Sequence, residues 1–271
     1  MRNPSLNPSV RIAATTGLAL LASCLAAAAG TLREIAFIGC PVLRNTDLPC
    51  WLGESGGELY YLGPQGDLTA QFYPPQFDHR MLVEGVVSDQ ARICGGIVLK
   101  PVKVSVLPQL DVACNVTLPA MGYPDPPHER GPGPSGERGV APAPPPRPTP
   151  VAYTAPFTLQ TFVVPFDAGS ERPWNAAQAV VQTAARYAVA SKATNIHVTG
   201  YRAAFKLSEG GEYAEPADLA ERRAKMVEQA LRTLDLPAGT RLIVDWKHDA
   251  VHASGMDADA RARRVTIIVT P

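Results

Sequence analysis

A surplus of charge of either sign is missing from this 271-residue chain, in which 25 Lys and Arg stand against 25 Asp and Glu. No basic stretch is dense enough to neutralise a run of phosphates, so the composition gives no reason to expect a nucleic-acid partner. Paired metal-ligand motifs are missing as well. There is no CxxC and no HExxH; "HDAVH" sets His248 and His252 four residues apart, which on a helix would bring both to one face, but no third ligand accompanies them. No Walker loop is present. The sequence predicts a protein that is not an enzyme and carries neither metal nor cofactor. Long apolar runs are also scarce, and the exception lies at the start of the chain.

There Arg2 and Arg11 precede "IAATTGLALL", and "LASC" follows, ending at Cys24. A positive segment, an apolar core and then apolar, small, small, Cys resembles the signal and lipobox of bacterial lipoproteins. The resemblance implies a signal peptide over residues 1–23, acylation of Cys24 and a lipid anchor in the cell outer membrane, with the remainder facing the periplasm. Two other readings stay open. "LAAAAG" offers sites for ordinary signal cleavage, giving a soluble periplasmic protein, and the run from Ile12 to Gly30 is about the minimum length for an uncleaved anchor. All three export the rest of the chain. With Cys24 set aside, Cys40, Cys50, Cys94 and Cys114 form an even set in an oxidising compartment, which predicts two disulfides in one of three connectivities.

Residues 24–118 read as a small all-β unit. Short runs such as "CWLGESGGELYYLG" and "HRMLVEGVVSD" are separated by turn signals, and Val102, Val104 and Val106 alternate with Lys103 and Ser105 at the period of a half-buried strand. An OB-like barrel stapled by the disulfides is the expected topology. Trp51, Tyr60 and Tyr61 are expected in its core. Residues 119–155, dense in Pro and Gly, cannot form a core and read as a disordered spacer between two independently folded units.

Residues 156–271 alternate strands and helices. "FTLQTFVVPFD", "NIHVTGYRA", "TRLIVDW" and "RRVTIIVT" read as strands. "ERPWNAAQAVVQTAARYAVASKA" reads as a helix with Trp174, Val181, Ala184 and Ala188 on one face. A second helix covers "EPADLAERRAKMVEQALRTLD", with Pro216 in its first turn and Glu215 and Asp218 at its positive end. The order βαβαββ predicts an α+β sandwich, helices on one face of a mixed sheet. One residue spoils the second helix: Leu219, Met226, Val227, Ala230 and Leu234 share a stripe, and Arg223 points into it. A buried guanidinium needs an anion.

The motifs "PFD" at 165–167, "GYRA" at 200–203, "LAERRA" at 219–224 and "ARRV" at 262–265 stand in the order and spacing of the OmpA-like C-terminal domain family, which includes peptidoglycan-associated lipoproteins and flagellar-motor stator proteins. In family members that bind cell wall, the helix Arg grips a carboxylate of diaminopimelate and an Asp of the strand motif holds its ammonium. Carried over, the Arg is Arg223, suited to a carboxylate fork. The Asp is replaced by Ala203, the motif His by Tyr201, the helix Ser by Ala220 and a preceding Asn by Pro216. The resemblance thus implies two outcomes. In one, Arg223, with Arg263, Arg264 and Tyr201, binds peptidoglycan, an acid from the segment holding Glu209, Glu212 and Glu215 replaces the lost Asp, and the protein tethers the outer membrane to the wall. In the other, Arg223 is satisfied internally, wall binding is lost, and the domain serves as an interaction module for another envelope protein.

Overall fold

The computed structural model describes residues 33–67, 74–126, 152–173, 175–253, 255–256 and 261–271. The signal peptide, Cys24 and residues 127–151 of the expected spacer lie outside them. The described residues belong to one compact unit, Leu32–Pro271. It is an α+β structure with two helices and mixed sheets. No helix among the described residues is long and apolar enough to cross a membrane.

Seven strands come first: β1 (Glu34–Gly39), β2 (Pro41–Asn45), β3 (Cys50–Ser55), β4 (Glu58–Pro64), β5 (His79–Val87), β6 (Ile97–Leu110) and β7 (Val116–Pro119). They form one sheet in the order β1-β5-β6-β4-β3-β2-β7, antiparallel except for the β4/β6 and β2/β7 pairs. An OB-like barrel has five strands; this sheet has seven. Gly56 and Gly57, both at positive φ, make the two-residue β3–β4 hairpin turn that suits strand twist. Trp51, Tyr60 and Tyr61 are buried as expected; Tyr60 packs with Phe37 and Tyr61 with Leu52 and Cys94. The disulfides join Cys40 to Cys114 and Cys50 to Cys94, so each ties a loop or strand end to the sheet.

The second part contains β8 (Gln160–Pro165), α1 (Asn175–Ser191), β9 (Asn195–Gly200), β10 (Ala203–Lys206), β11 (Glu212–Ala214), α2 (Leu219–Arg232), β12 (Arg241–Trp246), β13 (Val251–Ala253) and β14 (Arg264–Thr270). Four of its strands form a sheet in the order β12-β9-β14-β8, with β12 and β9 parallel and the other pairs antiparallel. Val164, Ile196, Val198, Val265, Ile267 and Val269 point from this sheet into a core shared with Val181, Ala184 and Ala188 of α1 and Ala224, Val227 and Leu231 of α2. Period-2 strands and period-3.6 helices therefore meet as the sequence pattern requires.

Two expectations are corrected, and the place of "HDAVH" is fixed. The second helix begins at Leu219, so Pro216 and Glu215 precede it and Asp218 is its N-cap, making no side-chain cap hydrogen bond. "HDAVH" is not helical: His252 lies in β13 and hydrogen-bonds Glu212 at 3.2 Å, while His248 sits against Trp246 after β12. A small sheet in the order β11-β10-β13 is added between the expected elements.

The two parts are also not independent of each other. Val83 and Val104 face the first part's own core, whereas Leu82, Glu84, Ser105 and Leu107 face the second part. Leu82 and Leu107 share a cluster with Ala168, Ala203, Phe205 and Ala262. Across this seam Glu84 receives hydrogen bonds from Arg263 at 3.2 and 2.7 Å, both residues fully buried. The Ser105 hydroxyl accepts the Ala168 N–H at 3.2 Å, and Lys103 lies 3.4 Å from Asp167. The polar positions that alternate with valine in β6 therefore cover a second body.

Candidate functional site

The candidate site is built around Arg223, whose place on α2 sends its side chain beneath the start of the β8–α1 loop. Close approach of the helix to β9 is possible because residue 200 is glycine: a Cβ there would lie 2.0 Å from the Ala220 carbonyl oxygen. Pro165 ends β8, Phe166 turns inward, and the guanidinium rests 5.1 Å from its ring centroid. The following turn points two carbonyls at the same group. Nε of Arg223 donates to the Ser170 carbonyl at 2.9 Å, and one terminal nitrogen donates to the Asp167 carbonyl at 3.0 Å. The other terminal nitrogen donates to the Tyr201 carbonyl at 3.0 Å.

Glu215 supplies the anion. Its two oxygens lie 2.7 and 2.8 Å from the two terminal nitrogens of Arg223, a bidentate pair with neither side chain exposed. Each Glu215 oxygen accepts one more bond, from the Gly169 N–H at 2.9 Å and the Ala203 N–H at 2.7 Å. Arginine has five N–H donors and a carboxylate about four lone-pair sites. All five donors and all four sites are used. Burying two charges in this way is tolerable because every polar atom has a partner, and it leaves neither group a free valence for a ligand.

Arg223, expected to grip an external carboxylate, has all its donors taken up within the chain. The acid foreseen in the segment holding Glu209, Glu212 and Glu215 exists, but it faces the arginine and not a ligand. Glu212 instead meets His252, and Glu209 hydrogen-bonds the Ser55 hydroxyl on the first part. Ala203, which stands where the resemblance places an Asp, is fully buried and serves Glu215 through its backbone. Tyr213 stacks near Phe205; burial, and then the Glu215 charge, push its phenol above the ordinary range, while Arg223 opposes the shift.

The other predicted site residues separate into two settings. Arg263 is fully buried against Glu84 and Phe205. Arg264 and Tyr201 remain partly exposed; the guanidinium lies 4.3 Å from the Tyr201 ring centroid and donates to the Arg261 carbonyl at 2.7 Å. The four residues named from sequence are thus not brought together around one opening. Among the described residues no group of three or more His, Cys, Asp or Glu is placed to hold a metal ion. Sequence reasoning missed Glu84 and named Glu215 only as a stand-in for the lost Asp. Their only signal was negative, in that two inward-pointing arginines require two acids.

No protein-family model matches the chain, and no curated protein matches it.

Proposed function

We propose that this chain is a non-catalytic, exported envelope lipoprotein, anchored through Cys24, whose OmpA-like C-terminal part acts as an interaction module for another envelope protein and does not hold peptidoglycan through Arg223. The observation that carries this reading is the closed Arg223–Glu215 pair. In wall-binding members of the family that the motifs resemble, the arginine's partner is a carboxylate of the ligand. Here an internal carboxylate occupies both of its forks, and the residue that would hold the ligand's ammonium is Ala203. An incoming diaminopimelate would have to displace a pair already desolvated and fully hydrogen-bonded, with no new contact to offset the loss.

The packing of the two parts supports the same reading. A tether benefits from two ends joined by a free spacer, whereas the Glu84–Arg263 seam joins the parts into one body that presents a fixed surface. The test is co-sedimentation of the full-length protein with purified peptidoglycan sacculi. The protein is expected in the supernatant. Pelleting that free diaminopimelate-containing stem peptide competes away would overturn the proposal. The anchor has its own test, mass spectrometry of the mature N-terminus: a diacylglyceryl adduct on Cys24 is expected, and an N-terminus beyond Cys24 would exclude it.

A further inference from the structure

The four-stranded sheet of the second part has two outer strands, β8 and β12, and they are finished differently. β8 ends in Pro165 and carries no charged residue; a proline on an outer strand blunts further pairing. β12 has no proline and keeps an unbroken register with β9. Its Arg241 N–H donates to the Thr194 carbonyl at 2.9 Å and the Lys247 N–H to the Gly200 carbonyl at 3.0 Å, so the odd-numbered residues bond the β9 side. The N–H and C=O groups of Leu242 and Val244 therefore point away from the sheet, and among the described residues nothing bonds them.

Leu242 and Val244 send their side chains into the core, which leaves Arg241, Ile243 and Asp245 in one row on the face opposite the helices. Ile243, at the centre of the row, is 39% exposed. Arg241 is exposed and has no ion partner among the described residues. One carboxylate oxygen of Asp245 lies 3.4 Å from Nε2 of His197, which leaves the other to accept. Four residues apart on an extended strand, Arg241 and Asp245 are separated by about 13 Å, too far to pair with each other.

We infer that two copies of this chain join antiparallel along β12, with Ile243 facing Ile243 of the second copy at the two-fold axis. In that register Arg241 of each copy lies opposite Asp245 of the other, and Leu242 exchanges backbone hydrogen bonds with Val244. The neighbouring registers lose this match. Centring on Val244 sets Arg241 against Lys247, and centring on Leu242 sets Arg241 against Ile243 and Asp245 against Gly239. With Ile243 at the axis, Lys247 falls opposite Gly239, beyond the paired stretch. The strand is complementary to itself in one register, which singles out a second copy over a foreign strand. The helices of both copies stay on one face of the joined sheet. α2 packs on both β9 and β12, so with strands about 4.8 Å apart it comes to about 10 Å from its copy, the spacing of packed helices. Its charges on that approach are matched within the helix, Lys225 by Glu221 and Arg232 by Glu228.

The test is disulfide trapping in the full-length protein. Facing residues of a non-hydrogen-bonded antiparallel pair have Cα atoms about 4.5 Å apart, within disulfide reach. Under mild oxidation purified Ile243→Cys is expected to give a linked dimer, at least tenfold more than Val163→Cys, an exposed position on β8 that reports random collision. Added to the Ile243→Cys background, Arg241→Asp or Asp245→Arg should each cut linkage about tenfold, because each sets like charges opposite one another. Mixing those two variants should restore it, which also shows that both chains fold. Linkage of Ile243→Cys no greater than that of Val163→Cys, single reversals without effect, or no recovery on mixing would overturn the inference. Linkage of the Ile243→Cys thiol to a different protein when the same oxidation is run in a cell extract would overturn it in favour of a foreign strand at this edge.

Discussion

The Glu215 carboxylate meets both terminal nitrogens of Arg223, at 2.7 and 2.8 Å, with both side chains fully buried between the β8–α1 loop and α2. Ser170, Asp167 and Tyr201 add their backbone carbonyls to the same guanidinium. Removing one charge strands the other. Glu215→Ala is expected to cost about 3–5 kcal/mol of unfolding free energy in denaturant titration. Arg223→Lys should fall in a similar range, because an ammonium cannot reproduce a five-donor planar fork. A loss below about 1 kcal/mol for either would mean that the pair is open to water.

The seam between the two parts makes a second prediction. Glu84→Ala and Arg263→Ala should each destabilise the whole chain by about 3–5 kcal/mol, whereas the paired replacement Glu84→Leu with Arg263→Met should recover most of that loss. Cooperative unfolding monitored by two probes, tryptophan fluorescence and far-ultraviolet circular dichroism, checks it. Additive single effects would show that Glu84 and Arg263 do not act as a pair.

The disulfides should contribute unequally. Cys40–Cys114 spans 74 residues and Cys50–Cys94 spans 44. In the chain-entropy account the longer loop stabilises more, by about 0.5 kcal/mol, on top of the 2–4 kcal/mol typical of a native disulfide. Paired Cys→Ala replacements, compared by denaturant midpoint, measure both quantities.

Tyr61 gives a pH dependence. Burial first, and the charge of Asp67 second, push its phenol up to about 12 from 10.0. A folded-state value above the unfolded one means that the folded protein holds the proton more tightly. The stabilisation is therefore complete below the unfolded value and is lost as pH rises toward and through about 12. Tyr61→Phe should flatten the decline of stability over that alkaline window. An unchanged slope would place the tyrosine in water.

Much of the second part was legible because its elements are long and strictly periodic. The stripe carrying Leu219, Val227 and Leu234 located α2, and Arg223 announced itself as misplaced within it. Glu215 could not be matched to it from sequence, because their meeting depends on the β10–β11 hairpin, which turns the chain back between β9 and α2. A hint of that hairpin survives as Gly210–Gly211, both at positive φ between two short apolar runs. In the first part, Lys103 and Ser105 resembled the solvent face of a strand. Alternation reports that two faces differ in polarity, and it does not report that the polar one will be covered by another part of the same chain.

The central claim concerns the availability of one guanidinium, and arginine side-chain nuclear magnetic resonance reads it directly. In the full-length protein the Nε–Hε group of Arg223, bonded to the Ser170 carbonyl at 2.9 Å, should give a resolved signal that exchanges slowly with solvent. Adding diaminopimelate-containing stem peptide to millimolar concentration should leave that signal where it is. A saturable shift of the Arg223 resonance on addition of the peptide would contradict the account.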